Sequence, residues 1–277
     1  MSTLHDTAYP LTDEQLHQYR TNHHICLRGV GTGDILDEVR AAIGAHVAEK
    51  VKDLPELAER DTYGKAFQQV CNLWPNEETV RTFVLSRRFA GIAAALLGVP
   101  AVRIYHDQAL FKEAGGGHTP WHQDQHYWPL DCPHTLTMWM PLVPVTKDMG
   151  TMHFASGSHE EGYLGDIQIS DQSEAYFENF CAERGFEIIN HGGMAAGDAT
   201  FHSGWCWHGA PGNASDRSRE VITVIYMPAD TTVLPDPDPQ DRWNANRRCD
   251  LANFLPGCQP GGPADSPLNP RLLPADG

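Results

Sequence analysis

Beyond residue 100 the chain is cut by glycine and proline into short runs dense in β-branched and aromatic side chains: AVRIYHDQALFKE, HTLTMWMPLVPV, GTMHFASGSH, EIINHGGMAAGDATFH and SREVITVIYMPA. Several short strands at this density point to a β-sandwich or barrel. The first hundred residues have a different texture. DILDEVRAAIGAHVAEKV places Ile35, Leu36, Val39, Ala42, Ile43, Val47 and Val51 on one helical face. LTDEQLHQYR opens with Thr12 and Gln15 in capping-box spacing, and CLRGV reads as a short strand. NEETVRTFVLSRRFAGIAAALLG predicts one or two more helices, capped by Asn76 and stopped at Gly98, with Arg87 and Arg88 on a solvated face. The expected fold is α+β: a helical layer over about residues 1–100 packed on a double-stranded β-helix, or jelly roll, over about 101–230. Residues 159–185 are polar and poorly periodic between strand-like flanks, which predicts a long loop covering a site. Residues 231–277 are rich in proline and glycine and read as an irregular tail. We read residues 1–277 as one domain.

The net charge of −16 argues against nucleic acid and anionic membrane surfaces as partners, since both demand a basic face. No apolar run is long enough to span a bilayer, and the opening residues lack a basic start and an apolar run. Seven cysteines, none spaced C-x-x-C, predict reduced thiols rather than disulfides or a thiolate zinc site. The expectation is a cytoplasmic protein, monomeric or homodimeric, that acts on a small molecule.

GGGHTPWHQDQHYWPL, residues 115–130, carries His118, His122 and His126 at a spacing of four. That spacing suits one face of a helix, but the glycines before it and Pro120 within it favour an extended strand. On a strand the side-chain period of two aims His122 and Asp124 to one side, where an imidazole and a carboxylate can grip one cation. His-x-Asp alone is a weak signal. A second cluster strengthens it: FHSGWCWHGAPGNASDRSREVITVIY places His208 before a glycine-rich turn and Arg219 at the start of a strand. Two histidines and one carboxylate bound facially leave open positions on Fe(II) for a bidentate cosubstrate and dioxygen. An arginine near the metal offers a planar fork to the cosubstrate's far carboxylate.

H-x-D followed at a distance by H-G-x-x-x-N-x-S-x-x-x-R resembles the phytanoyl-CoA dioxygenase family of iron and 2-oxoglutarate oxygenases. WHQDQHYWPL and WHGAPGNASDRSR carry the likeness, and TMWMPLVPVTKDMGTMHFASGSH resembles the family's strand and glycine turn. The resemblance spans roughly residues 60–230. It implies that His122, Asp124 and His208 bind Fe(II), that Arg219 pairs with the C5 carboxylate of 2-oxoglutarate, and that O2 is the other cosubstrate. It further implies cosubstrate contacts from Trp139, Thr137, Lys65 and Gln108. Ala210 departs from the Ser that some members carry two residues after the distal His. With Asp124 intact, the resemblance implies hydroxylation, or less often desaturation, rather than the halogenation of relatives in which a small residue replaces that carboxylate. The implied reaction is hydroxylation of an aliphatic C–H of a small polar metabolite, with 2-oxoglutarate decarboxylated to succinate and CO2.

Other residues have competing readings. His126 is expected to touch substrate or support the ligands, and Tyr127, Trp128 and Trp205 either line a substrate wall or pack the mouth of the jelly roll. His118 reads as polar loop, and His134, His153, His159 and His202 as surface or core-edge residues. Two other classes stay open: a cupin-like metal-dependent isomerase or dioxygenase without 2-oxoglutarate, and a non-catalytic jelly-roll binding protein. Arg219 argues against the first, and the intact His-Asp-His set against the second.

Overall fold

The structure, a computed structural model, describes residues 7–165, 167 and 169–272. Its helices are α1 (Asp13–Asn22), α2 (Asp34–Val51), α3 (Thr62–Ala66), α4 (Glu78–Val84), α5 (Arg87–Leu97), α6 (Asp171–Arg184) and α7 (Ala245–Phe254). Its strands are β1 (His24–Leu27), β2 (Gln68–Cys71), β3 (Val102–Phe111), β4 (Thr119–His122), β5 (Leu130–Asp131), β6 (Leu136–Pro141), β7 (His153–Ala155), β8 (Ile188–Asn190), β9 (Ala199–Ser203), β10 (His208–Ala210), β11 (Val221–Pro228), β12 (Thr232–Val233) and β13 (Arg271–Leu272). Among the described residues no helix is long and apolar enough to cross a membrane.

Local sequence accounts for the helical layer. Thr12 and Gln15 close the capping box of α1 from both sides. α2 covers the whole predicted amphipathic stretch. The long apolar segment after Asn76 is two helices, and α5 stops at Gly98 in the left-handed region. The first of them is capped by Glu77, not Asn76: the Glu77 carboxylate accepts from the Val80 N–H at 2.7 Å. Arg88 also departs from expectation. It is buried, and its guanidinium donates to the carbonyls of Val30 at 2.9 Å and Ala8 at 3.0 Å. A long stem lets the charged group reach otherwise unserved carbonyls between elements.

Seven strands form the larger sheet in the order β1-β9-β6-β11-β3-β13, with β2 on the same edge of β3 as β13. The smaller sheet runs β4-β10-β7-β8, and β5 pairs with β12. All pairings are antiparallel, and the two sheets make a double-stranded β-helix. Side-chain alternation divides the large sheet cleanly. Leu136, Met138, Phe201, Ile222 and Val224 join the core under the helices. Their neighbours Thr137, Trp139, His202 and Thr223 line a cavity on the other face.

β3 changes sides midway. Opposite it, Ile225 pairs with His106 and Tyr226 with Ile104, so Tyr105 is an extra residue. Before it, Val102 and Ile104 face the helical core. After it, His106, Gln108 and Leu110 line the cavity while Ala109 and Phe111 face the helices. Two further expectations are corrected. Residues 159–185 are not one long loop: α6 occupies the second half, and its Phe177 ring lies 3.6 Å from Trp207. The tail is not wholly irregular, because it contains α7.

Candidate metal centre

β4 ends at His122, Gln123 remains extended, and Asp124 opens a 3₁₀ turn that closes at His126. The turn, not the strand pleat, therefore sets the direction of Asp124. The same turn removes His126 from the face expected for it. His126 is buried beside Tyr163, ring centroids 5.9 Å apart, and does not line the cavity. His208 sits on β10 directly opposite His122 in the β4–β10 ladder, and cross-strand neighbours on one face must meet. Their ring centroids are 4.2 Å apart.

Nε2 of His122 and Nε2 of His208 each lie 3.5 Å from Asp124 Oδ1. The three donor atoms fall within 4.8 Å of one another. The far side of each ring is fixed by backbone. His122 Nδ1 donates to the Pro120 carbonyl at 2.8 Å and His208 Nδ1 to the Cys206 carbonyl at 2.9 Å. Each bond selects the tautomer that leaves a lone pair on Nε2. Asp124 Oδ2 is similarly occupied, by the Thr137 hydroxyl at 2.8 Å and His202 Nε2 at 3.2 Å, so Oδ1 is the oxygen left facing the two imidazoles.

The electrostatics agree with a cation site. Burial alone would push the Asp124 carboxyl up, but the His208 imidazole first, and then the close contacts of His122, His202 and His208, hold it well below the usual carboxylate range. Burial and then His208 lower His122, against the pull of Asp124. An ionised carboxylate and a neutral imidazole are the forms that bind metal. Two imidazoles and one carboxylate suit Fe(II), so the residues fit that ion.

The adjoining cavity has a volume of about 490 Å³. Arg219 lies in its wall, tied to β3 by a two-bond bridge with Lys112. Its guanidinium stacks over Trp139 at 5.3 Å and donates through Nη1 to the Gly150 carbonyl. Its buried Nε has no partner among the described residues. Burial lowers this guanidinium to about 9. Gly150 has φ +78°, and a Cβ there would collide with the Pro211 carbonyl, so only glycine serves. A buried arginine with a spare donor and no carboxylate beside it is a site suited to an anionic ligand.

Thr137, Trp139 and Gln108 line the cavity, as do Tyr127 and Trp128. Lys65 does not line it; its backbone carbonyl accepts from the Gly117 N–H at 2.7 Å. The buried lysine near Arg219 is Lys112, whose Nζ donates to the Gly117 carbonyl and to Thr119 Oγ1. Burial, with the charge of Arg219, brings it down to about 6. Trp205 is also outside the cavity wall and faces Tyr163, ring centroids 6.4 Å apart. Lys65 sits in the short helix α3 and Trp205 in the turn between β9 and β10, neither of which the strand pattern revealed. Ala210 lines the cavity opposite Thr119, so a hydroxyl remains near the missing Ser on the partner strand.

Sequence reasoning missed three contributors. His202 is not a surface residue: it is 1% exposed, brought to about 4 mainly by burial, and bonded to Asp124. Its position in the run ATFHS, alternating with core-facing Phe201, was the available signal. His106 owes its placement to the bulge in β3. From α7, Asn246, Cys249, Asp250 and Phe254 line the cavity.

A family model described as phytanoyl-CoA dioxygenase (PhyH) matches residues 19–221. A methylphosphonate hydroxylase of Gimesia maris is 24% identical over 173 residues, 62% of this chain and 61% of the relative, so the match leaves over a third of that relative uncovered. The carbocyclase SnoK of nogalamycin biosynthesis, described as non-heme and α-ketoglutarate-dependent, superposes with a TM-score of 0.74 at 26% identity, covering 95% of this chain and 97% of that one. The epimerase SnoN, crystallised with Fe3+, α-ketoglutarate and nogalamycin RO, gives 0.71 at 23% identity over 94% and 97% of the chains. EctD from S. alaskensis, with 2-oxoglutarate and 5-hydroxyectoine, shares the fold at a TM-score of 0.66 and 18% identity over 86% and 83%. This chain belongs to the phytanoyl-CoA dioxygenase family of Fe(II)- and 2-oxoglutarate-dependent oxygenases.

Proposed function

We propose that the protein hydroxylates an aliphatic C–H bond of a small polar metabolite, using one Fe(II) held by His122, Asp124 and His208 and 2-oxoglutarate held through Arg219. The observation that carries this reading is the coincidence of a three-donor centre with a buried, carboxylate-free guanidinium beside one cavity. It also disfavours a 2-oxoglutarate-independent isomerase, in which Arg219 would be left with its Nε unserved. The name of the Gimesia maris relative supports hydroxylation, while the names of SnoK and SnoN show that related folds carry other outcomes.

Iron bound with 2-oxoglutarate and dioxygen supplies an oxidant able to attack an unactivated C–H bond. The chain's own residues do the rest. The Pro120 and Cys206 carbonyls fix the ligand tautomers, and Thr137 and His202 hold Asp124 by its outer oxygen. Arg219 sets the cosubstrate's far end against Trp139. Tyr127, Trp128 and Ile169 wall the cavity and exclude water from the reacting centre. The Tyr127 hydroxyl accepts from the Ile169 N–H at 2.7 Å, which ties the segment before α6 over the cavity. In this reading the helical layer, jelly roll and tail act as one oxygenase unit.

The test is an anaerobic titration with Fe(II) and 2-oxoglutarate. A weak visible charge-transfer band is expected only when both are present, and His208→Ala is expected to abolish it together with succinate formation. A His208→Ala protein with the wild-type band would remove the ligand assignment, and a band independent of 2-oxoglutarate would favour the other metalloenzyme class.

A further inference from the structure

We propose that the substrate carries a protonated amine, or an equivalent organic cation, and that Asp250 on α7 binds it in a subsite walled by His106, Trp128 and Phe254. The proposal rests on the oxygenase reading above and names its substrate class. The charge distribution of the cavity carries it. Among the described residues the charged groups in the cavity wall are Asp124, Arg219 and Asp250. The first serves the metal centre and the second the cosubstrate, so Asp250 is the charge left for the substrate. It is half-buried, its Oδ2 accepts from the Tyr105 hydroxyl at 3.3 Å, and no cation pairs with it. A carboxylate withdrawn from water with one neutral donor is poorly solvated, and an arriving ammonium group corrects that. Burial alone brings this carboxyl up to about 7, with the Tyr105 bond opposing, which is the mark of an uncompensated acid.

The surrounding rings fit the same ligand. His106 stacks on Phe254 at 4.4 Å and 25°, and Trp128 stands edge-on to His106 at 6.2 Å. Aromatic faces beside a carboxylate are the environment that organic cations favour. His106 is buried, lines the cavity, and its Nδ1 has no hydrogen-bond partner among the described residues. Burial holds this imidazole down at about 4, so it is neutral and adds no competing positive charge. The subsite disfavours a phosphonate, whose charge would face Asp250. On this point the chain and its Gimesia maris relative are expected to differ.

Calorimetric binding of a matched series tests the proposal: cyclohexylamine, cyclohexanol, cyclohexanecarboxylate and cyclohexylphosphonate. The titrations use the full chain with Mn(II) and without oxygen, so that Asp124 is engaged by metal and no turnover occurs. Metal uptake is read separately by electron paramagnetic resonance, which separates failure of the metal centre from failure of the Asp250 subsite. The amine is expected to bind roughly tenfold or more tightly than the alcohol, and the two acids more weakly still. Asp250→Asn, which leaves an oxygen for Tyr105, should erase the preference for the amine, and Asp250→Glu should retain most of it. Circular dichroism verifies that both variants fold. Equal binding of amine and alcohol, preference for either acid, an unchanged preference in Asp250→Asn, or no amine binding at all overturns the proposal.

Discussion

At the residue scale, the outer oxygen of Asp124 is where the design of the centre is most exposed to test. Thr137 donates to it at 2.8 Å and His202 approaches at 3.2 Å. Thr137→Val removes the hydroxyl with little change in shape and leaves the outer oxygen of Asp124 to His202 alone. We expect Fe(II) affinity to fall about 10- to 100-fold, with the 2-oxoglutarate dependence at saturating iron unchanged. Parallel anaerobic titrations of metal and cosubstrate measure the split, and wild-type iron affinity would show that Thr137 does not orient the ligand. Arg219→Lys probes the other end. A point charge cannot reproduce the planar fork, and the loss of about 2–3 kcal/mol corresponds to a rise of roughly 30- to 150-fold in the apparent KM for 2-oxoglutarate. An unchanged KM assigns Arg219 another role. The cluster of His122, Asp124, His208 and Arg219 was legible in the sequence because two local motifs carry it. Lys112 and His202 were not, because their burial depends on which face of a sheet they meet, and a single chain does not state its strand order.

At the element scale, the turn at Gly150 links backbone conformation to cosubstrate binding. Its φ of +78° and the contact its Cβ would make with the Pro211 carbonyl forbid a side chain, and its own carbonyl accepts from Arg219. Gly150→Ala is therefore expected to cost about 1–3 kcal/mol of stability and to raise the apparent KM for 2-oxoglutarate at the same time. Thermal unfolding and steady-state kinetics on one preparation decide it; a lower Tm with an unchanged KM would uncouple the turn from the arginine. Elements with strong local signals were read well. α1 has its capping box, and α2 an unbroken apolar stripe. α6 and α7 escaped because their apolar contacts are few and scattered, such as Phe177 on Trp207 and Phe254 on His106, and proline-rich flanks surround α7. α7 therefore reads as tail in sequence and as cavity wall in three dimensions.

At the scale of the whole molecule, Arg219 is a buried cation with no carboxylate beside it among the described residues. A ligand that binds only the folded state stabilises by mass action, by about 2.7 kcal/mol at a hundred times its Kd. With metal present and oxygen excluded, saturating 2-oxoglutarate should raise Tm by on the order of 5 °C. 2-Oxobutyrate, which keeps the keto acid but lacks the far carboxylate, should give a much smaller rise; equal rises would mean that the buried guanidinium is not met. The jelly roll itself was foreseeable from the density of short strands, but the phase of those strands was not. Tyr105 makes this concrete. As the one surplus residue of β3, it works as a frame shift does in a coding sequence: everything downstream is read on the other side. Paired straight through Tyr105 with no bulge, β3 would turn Asp107 and Ala109 toward the cavity and drive His106 and Gln108 into the apolar layer beneath the helices. The chemistry of that wall is thus written less in which residues β3 contains than in the one place where the strand breaks its alternation.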